Sequence, residues 1–238
     1  HIELKCDLPD WIPDRSLVSQ AVRLVQEATG HTEGVKIELY KRIPLMSGLG
    51  GDSSDAAATL RGLNQLWGLG LSAERLRELA LKLGSDVPFL LPGGTALVQG
   101  RGEVISSLPP LPRMWFIVVV APVPREPGKT GRLYASLDAR HFTQGQITVN
   151  LVSSLAFGVP LTLSRLYNVF DGIALDRYPG LEDYWEQFAE AGATEIHLAG
   201  SGPALFTAIK EKVEAEKLYG KLKEKGLADF VLAKTKTF

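Results

Sequence analysis

The distribution of apolar and polar residues predicts strands and helices that alternate along the whole chain. Residues 1–6 and 35–40 alternate as half-buried strands do. Residues 116–121 form an unbroken apolar run, which is typical of a fully buried strand. Shorter apolar stretches predict further strands at 95–99, 195–198, 205–209 and 230–234.

The helical predictions rest on apolar residues three and four positions apart and on residues that cap helix ends. Ser72 is a suitable N-cap, and Gly30 and Gly84 each follow the last apolar residue of a helical pattern. Helices are predicted over about 16–28, 53–67, 72–83, 181–191 and 212–225, and over most of 147–173 with an interruption at Gly158-Val-Pro160.

This order of elements predicts an α+β protein of two layers. The chain of 238 residues, 45% of them hydrophobic, can form one large core or two small ones. Because the stretch 108–112 is rich in proline, we place a border there between two subdomains, 1–113 and 114–238.

Composition and charge exclude several classes of protein. With 26 basic and 27 acidic residues the net charge is near zero, which gives no overall basic surface for nucleic acid. Cys6 is the single cysteine, so no internal disulfide can form and a reducing compartment is expected. The longest apolar run is too short to span a membrane.

The segment 44–57 carries the strongest chemical signal in the chain. Three glycines and two serines come directly before a predicted helix: Gly48, Gly50, Gly51, Ser53 and Ser54. Glycine lets the backbone approach a ligand closely, and a helix N-terminus offers free N–H groups to an anion. The segment therefore predicts a cradle for a polyphosphate. The residues alone leave open a simple glycine-rich turn capped by a serine.

Three known motifs are excluded by single positions. A dinucleotide fingerprint requires glycine where Ser53 stands, and a P-loop before Gly128-Lys129-Thr130 requires glycine at Val123. That second stretch predicts a loop. A hydrolase elbow fails at Ala204, so we expect the turn 200–203 to be a second glycine-rich turn packed near the first. The four histidines show no metal-ligand spacing.

Three aspartates are candidates for chemistry. Asp86 follows a predicted helix and precedes apolar residues, which predicts a partly solvated carboxylate that could act as a base. A turn-forming role for Asp86 stays open. Asp52 and Asp55 could bind Mg²⁺, although Asp55 also suits the first turn of a helix. Asp52 would repel a phosphate unless a cation lies between them.

Taken together, these motifs resemble those of the GHMP small-molecule kinases. The matching pieces are Pro44-x-x-x-Gly-Leu-Gly-Gly-x-Ser-Ser-Asp-Ala-Ala57, Leu83-Gly-Ser-Asp-Val-Pro-Phe-Leu-Leu91 and Ala199-Gly-Ser-Gly-Pro203. Within the family, Asn64-x-Leu-Trp67 and Gly100-x-Gly-Glu103 resemble the branch that acts on 4-diphosphocytidyl-2-C-methyl-D-erythritol. The resemblance covers nearly the whole chain. It implies a two-subdomain α+β fold, with ATP bound by the N-terminal subdomain and the active site in the cleft between the subdomains.

The resemblance also implies a reaction and a set of site residues. The reaction is phosphorylation of the 2-hydroxyl of this cytidine diphosphate-linked alcohol by ATP with Mg²⁺, a step of non-mevalonate isoprenoid biosynthesis. Asp86 would be the catalytic base, Tyr134 would stack on cytosine, and Ser54 could bind the metal. The implied ATP contacts are Ser16, Lys41, Pro44, Gly48, Leu49, Gly50, Gly51, Asp52, Ser53 and Ser54.

For partners, the resemblance implies a small-molecule substrate, no nucleic acid, no membrane, and a monomer or weak homodimer. It implies the bacterial cytoplasm or the plastid stroma as location. The family's N-terminal Pro-Ala-Lys-Ile-Asn and its Gly-Tyr-His have no match here, and the chain opens on His1 inside a strand pattern, so we expect upstream sequence. Asp52 stands where the family usually has glycine. A nucleotide-binding protein without turnover, or a kinase of another small alcohol, stays open.

Overall fold

A computed structural model describes residues 1–9, 11–124, 128–159, 166–226 and 230–234 and confirms the predicted α+β alternation. Its strands are β1 (Ile2–Cys6), β2 (Val35–Leu39), β3 (Thr95–Gln99), β4 (Val104–Leu108), β5 (Trp115–Val120), β6 (His197–Leu198), β7 (Ala204–Ile209) and β8 (Phe230–Lys234). Its α-helices are α1 (Leu17–Thr29), α2 (Gly51–Leu66), α3 (Ala73–Leu83), α4 (Val87–Leu90), α5 (Lys129–Ala135), α6 (Gln146–Ala156), α7 (Asp171–Arg177), α8 (Leu181–Glu190) and α9 (Lys212–Glu224).

The chain divides into two units. The first unit contains His1–Leu45 and Gly50–Ser107, and the second contains Met46–Leu49 and Leu108–Phe238. Residues 46–49 of the glycine-rich segment therefore belong to the second unit, and its residues 44–45 and 50–57 belong to the first.

In the first unit, helices pack around a core of small and branched apolar side chains. The parallel strands β1 and β2 pair with Ile2 opposite Val35, while β3 and β4 form a separate ladder. Helix α2 packs against α1, α3 and α4. Alanines on α1 and α2 let the two helices approach closely, because a methyl group fills little space. The buried residues include Ala21, Val22, Val25, Ala56, Ala57, Leu60, Leu63, Leu79, Ala80 and Val87.

Capping residues end these helices where the sequence predicts. The Ser16 hydroxyl accepts from the Ser19 N–H at 3.1 Å at the start of α1, and Gly30 ends that helix with φ 70°. Ser72 caps α3 in the same way, accepting from the Arg75 N–H at 3.2 Å.

In the second unit, β6, β7, β5 and β8 lie side by side in that order as antiparallel neighbours. Helix α9 packs on β5, β7 and β8, and α7 packs on α5, α8 and β6. The apolar run of β5 is buried as predicted, with Ile117 and Val119 inaccessible to solvent. The core also includes Leu133, Phe170, Leu181, Phe188, Leu198, Leu205, Leu218 and Leu222.

The structure differs from the sequence predictions in a few elements. Helix α5 occupies the stretch predicted as a loop, and β4 was not predicted. Helix α2 begins at Gly51, two residues before the predicted start, so Asp52 and not Asp55 lies in its first turn. The helix predicted over 147–173 is interrupted over a longer stretch, since 166–170 are not helical. The predicted break at Pro160 lies outside the described residues.

Across the part of the chain that the structure describes, none of the helices has the length and apolar character needed to cross a membrane.

Candidate active site

The first turn of α2 presents backbone donors that have no acceptor. Gly50 is the N-cap with φ 70°, and it offers no side chain to cap the helix. The first N–H of this turn with a backbone acceptor is that of Ser54, which donates to the Gly50 carbonyl at 2.9 Å. Within the described residues, the N–H groups of Gly51, Asp52 and Ser53 and the Ser53 hydroxyl donate to nothing. Unpaired donors of this kind, at the positive end of a helix dipole, can bind an anion.

Two neighbours fix this turn. The Ser54 hydroxyl donates to the Gly51 carbonyl at 2.7 Å, which leaves its oxygen lone pairs available to a metal or a donor. Gly51 lies directly on Ile43, and a Cβ at Gly51 would come within 2.9 Å of Ile43 Cγ2. A larger residue at 51 would therefore displace the helix start.

The beginning of the glycine-rich segment is held against the turn 199–203, as predicted. The Ala204 N–H donates to the carbonyl of buried Ser47 at 2.9 Å. Gly48 has φ 86°, and a Cβ there would overlap the Ala199 carbonyl oxygen and lie 2.8 Å from the Gly202 nitrogen. Only glycine satisfies both the backbone conformation and this close approach.

Side chains from α7 and its flanks hold the turn 199–203 in place. The Asn168 amide donates to the Leu198 and Gly200 carbonyls at 2.8 Å each. The Tyr178 hydroxyl donates to the Ser201 carbonyl at 2.6 Å. Burial raises the pKa of this hydroxyl, although the charge of Arg132 opposes the rise. The phenol therefore remains a donor throughout the neutral pH range.

Lys129 contacts both glycine-rich stretches. Its ammonium donates to the Gly202 carbonyl at 2.6 Å and also to the Met46 carbonyl. Sequence reasoning missed this residue because it considered Gly128-Lys129-Thr130 only as a failed P-loop. The one available signal was a lysine beside a glycine, which by itself is uninformative.

Lys41 pairs with two carboxylates near the start of α2 and offsets one of their two negative charges. Its side chain is only 4% exposed, and its ammonium lies 2.8 Å from Asp52 Oδ1 and 2.6 Å from Asp55 Oδ2. Desolvation lowers the pKa of Lys41, but the hydrogen bonds and charges of the two carboxylates outweigh it and raise the pKa above the ordinary lysine value. The negative charge that Asp52 adds to the predicted phosphate cradle is thus offset in part by a cation that Asp52 shares with Asp55.

Asp86 lies at the N-cap of α4, whose next residues Val87 and Pro88 are buried. Its carboxylate is exposed and has no hydrogen-bond or ionic partner among the described residues. The expectation of a partly desolvated carboxylate is therefore wrong, because the buried neighbours leave the Asp86 side chain directed away from the core. The β3–β4 turn fixes the backbone beside it, since a Cβ at Gly102 would overlap the Ser85 carbonyl oxygen.

The other predicted contacts occupy varied environments. Ser16 uses its hydroxyl as the cap of α1 and donates it to the Pro13 carbonyl at 2.8 Å. Pro44 and Leu49 are half-buried. Tyr134 is 60% exposed, and its ring packs at 84° to the Phe170 ring with a centroid distance of 4.9 Å. A buried phenylalanine thus packs against an aromatic ring that is largely exposed to solvent.

Among the described residues, no group of three or more His, Cys, Asp or Glu side chains comes together to hold a metal ion. The oxygen donors in and beside the first turn of α2 are Ser54 and the two carboxylates paired with Lys41. A Mg²⁺ ion that takes most of its ligands from phosphate and water requires only one or two such oxygens.

Comparison with known proteins identifies the family. The model of the GHMP kinase N-terminal domain matches residues 16–94, and that of the GHMP kinase C-terminal domain matches residues 156–228. The chain belongs to the GHMP kinase family. The family predicted from the sequence is thereby confirmed, and with it the assignment to enzymes that transfer phosphoryl groups.

Individual GHMP kinases resemble the chain along most of its length. A 4-diphosphocytidyl-2-C-methyl-D-erythritol kinase of Dehalococcoides mccartyi is 49% identical over 94% of this chain and 79% of that protein. The Bacillus subtilis protein of the same name is 37% identical over 94% of this chain and 76% of its own.

Solved structures support the same fold. A crystal structure of 4-(cytidine 5'-diphospho)-2C-methyl-D-erythritol kinase is 28% identical, with a TM-score of 0.77 over 97% of this chain and 81% of that one. The homoserine kinase of Cytophaga hutchinsonii has the same TM-score at 20% identity, over 100% of this chain and 82% of that one. The second match shows only the shared GHMP fold.

Proposed function

We propose that the protein transfers the γ-phosphoryl group of ATP to the 2-hydroxyl of 4-diphosphocytidyl-2-C-methyl-D-erythritol. The observation that carries this proposal is the 49% identity, over 94% of the chain, to a kinase named for that alcohol. The product belongs to the non-mevalonate route to isoprenoid precursors.

The start of α2 binds the ATP phosphates in this proposal. The unpaired N–H groups of Gly51, Asp52 and Ser53 and the Ser53 hydroxyl are the donors. Because Lys41 pairs with both Asp52 and Asp55, it offsets only one of their two negative charges. Backbone donors that are fixed before the nucleotide arrives bind it without an ordering cost.

Asp86 accepts the proton of the 2-hydroxyl. The hydroxyl oxygen forms its bond to the γ-phosphorus while the bond from that phosphorus to the bridging oxygen of ADP breaks. An exposed carboxylate without a partner is free to accept a hydrogen bond from the substrate. Tyr134, supported by Phe170, provides the aromatic face for the cytosine ring.

A Mg²⁺ ion fits this site through the Ser54 oxygen, with phosphate and water as its remaining ligands. The ion neutralises phosphate charge and orients the chain of phosphates when it is bound. The Ser16, Lys41, Pro44 and Leu49 contacts with ATP remain part of the proposal. Lys41 is the weakest of them, because its ammonium is committed to two carboxylates.

The direct test measures ADP release by the purified full-length protein with ATP, Mg²⁺ and the alcohol. We expect release that depends on the alcohol and that cytidine nucleotides inhibit by competition. ADP release with homoserine or mevalonate, unaffected by cytidine nucleotides, would show a different alcohol. Thermal stabilisation by ATP without any turnover would show a binding protein instead.

The catalytic role of Asp86 is tested by Asp86→Asn. We expect kcat to fall by about 10²-fold or more while the melting temperature stays the same, because a general base typically contributes 10²–10⁴-fold and this carboxylate has no structural partner. Asp183→Asn, an exposed aspartate of α8, is the matched control. Near-normal activity of Asp86→Asn would reassign the base.

A further inference from the structure

We propose that Lys129 is a positioning residue that holds residues 46–49, which lead directly along the chain into the start of α2 where the proposed ATP donors lie. Lys129 donates to the carbonyls of Met46 and Gly202, which lie on the two sides of the contact between Gly48 and the turn 199–203. Its effect on the nucleotide is indirect, through the backbone of residues 46–49. The proposal rests on the proposed function.

The geometry links two distant parts of the chain. The Lys129 ammonium donates to the Met46 carbonyl, 83 residues away in sequence, and to the Gly202 carbonyl, 73 residues away, at 2.6 Å. Hydrogen bonds from a charged donor are stronger than neutral ones. Met46 lies two residues before Gly48, and Gly202 is one of the residues on which Gly48 packs. Lys129 therefore links residues 46–48 to the turn 199–203, and the contact between these two stretches sets the position of Gly48.

The backbone at Met46 shows why a strong donor is placed there. Met46 has φ 54°, a left-handed conformation that residues with a side chain rarely adopt. Such a conformation persists only where surrounding contacts stabilise it. The side chain of Met46 is 40% exposed, so the conformation depends on contacts of the backbone, and the hydrogen bond from Lys129 to the Met46 carbonyl is one of them.

The neighbours of Lys129 direct its ammonium towards the turn. Its Nζ lies 5.4 Å from the centroid of the Tyr178 ring, within the range of a cation–π interaction. The same tyrosine donates to the Ser201 carbonyl, and Thr130 Oγ1 lies 3.1 Å from Ser201 Oγ. Side chains thus hold consecutive residues of the turn, 201 and 202, and the lysine extends this network to Met46.

The effect of Lys129 on catalysis follows from this arrangement. Loss of the ammonium removes a hydrogen bond from Met46, in the residues that lead into the start of α2, and removes no contact of Asp86, which has no partner among the described residues. We expect the KM for ATP to rise, while the KM for the alcohol and kcat at saturating ATP stay close to their normal values. A residue with only a structural role would lower the melting temperature and leave all three values unchanged.

The test compares Lys129→Met, which keeps the length of the side chain but removes its donors, with Lys129→Arg, which keeps the charge. Lys129→Met should raise the KM for ATP by about 10-fold or more, since hydrogen bonds to charged groups contribute on that scale. It should also accelerate amide hydrogen exchange in residues 46–50 of the nucleotide-free protein. Lys129→Arg should recover part of both losses.

Lys212→Met is the matched control. Lys212 is also the first residue of a helix, with its Nζ 5.9 Å from the Trp115 ring centroid and 3.0 Å from Glu216. Among the described residues it makes no hydrogen bond or ion pair with either glycine-rich stretch. This variant should leave hydrogen exchange at 46–50 and the KM for ATP unchanged.

Three results would overturn the proposal: unchanged exchange at 46–50 in Lys129→Met, faster exchange with a normal KM for ATP, or a loss confined to kcat. If Lys129→Met does not fold, Lys129→Gln, which retains a neutral donor, is measured in the same way. If the natural protein fails to phosphorylate the alcohol, the proposed function fails by itself. Hydrogen exchange and calorimetric binding of ATP then still decide the role of Lys129.

Discussion

The two units of the protein position their candidate site residues by different means. In the first unit, the backbone beside Asp86 is set by a glycine contact, because Gly102 lies against the Ser85 carbonyl. In the second unit, Gly48 also makes a close contact, but side-chain donors from Asn168, Tyr178 and Lys129 bind the carbonyls of the supporting turn. A glycine contact has no conservative substitute, whereas a set of donors can be removed one at a time.

The largest expected effect comes from breaking the glycine contact in the first unit. Gly102→Ala requires an alanine at φ 105° and places a Cβ into the Ser85 carbonyl oxygen, so the backbone next to Asp86 must shift. A displacement of a catalytic group by about 1 Å can cost 10²-fold in rate, and we expect kcat to fall on that scale with little change in the KM for ATP. Steady-state kinetics with varied ATP measure both values.

Gly94→Ala separates the contact from the backbone strain. Gly94 has φ 80°, but a Cβ there would meet nothing within 4 Å. Gly94→Ala should lower the melting temperature about as much as Gly102→Ala does, because both place alanine at a positive φ, but it should leave kcat nearly normal. Equal losses of kcat in the two variants would show that strain, and not the contact with Ser85, controls the position of Asp86.

The sequence predicts most of the fold because the relevant signals are local. Alternation defines β2, the apolar run defines β5, and Ser72 marks the start of α3. Helix α5 escaped prediction because it has seven residues and little periodicity, and only its Leu133 is buried. Strand β4 was not predicted because buried and exposed residues do not alternate regularly along it. It is a strand because it pairs with β3.

The candidate site likewise contains residues that local sequence motifs reveal and residues that only the folded chain brings together. The glycine-rich segment and Asp86 lie within short motifs, so the sequence reveals them. Lys129 is separated from Met46 by 83 residues, and only the folded chain brings them together. The sequence also could not explain how an acid at Asp52 is tolerated beside a phosphate. Its partner Lys41 resembles any other lysine in the sequence, and only the structure shows that Lys41 is buried and paired with Asp52.

Asp52 tests whether charge compensation in the first unit is complete. Asp52→Gly removes the acid from the first turn of α2, while Asp55 still holds Lys41. We expect the KM for ATP to fall by about two- to fivefold, because a single charge near a helix N-terminus contributes on that scale. A higher KM would mean that Asp52 supports the nucleotide, directly or through Lys41.

Asp55→Asn is the control, because Asp55 shares Lys41 but lies beyond the first turn and is 29% exposed, against 48% for Asp52. Its KM for ATP should stay unchanged.

Because the pKa of Lys41 is raised on folding, its ion pairs stabilise the protein fully below the ordinary lysine pKa of about 10.4. That contribution is lost as the pH rises through the raised value. Thermal unfolding at increasing alkaline pH should show this loss in the natural protein and not in Lys41→Met.

The smallest expected effect comes from removing one donor in the second unit. Tyr178→Phe keeps the ring beneath Lys129 but deletes the hydrogen bond to the Ser201 carbonyl. A neutral hydrogen bond contributes about 1 kcal/mol, and Asn168 and Lys129 still hold the turn, so the KM for ATP should rise no more than about threefold. The double variant Tyr178→Phe with Lys129→Met should raise the KM for ATP by more than the product of the two separate increases. Each side chain still holds the turn when the other is removed, and the double variant loses both. If Tyr178→Phe alone is as damaging as Gly102→Ala, the turn depends on every donor, and the contrast between the two units is wrong.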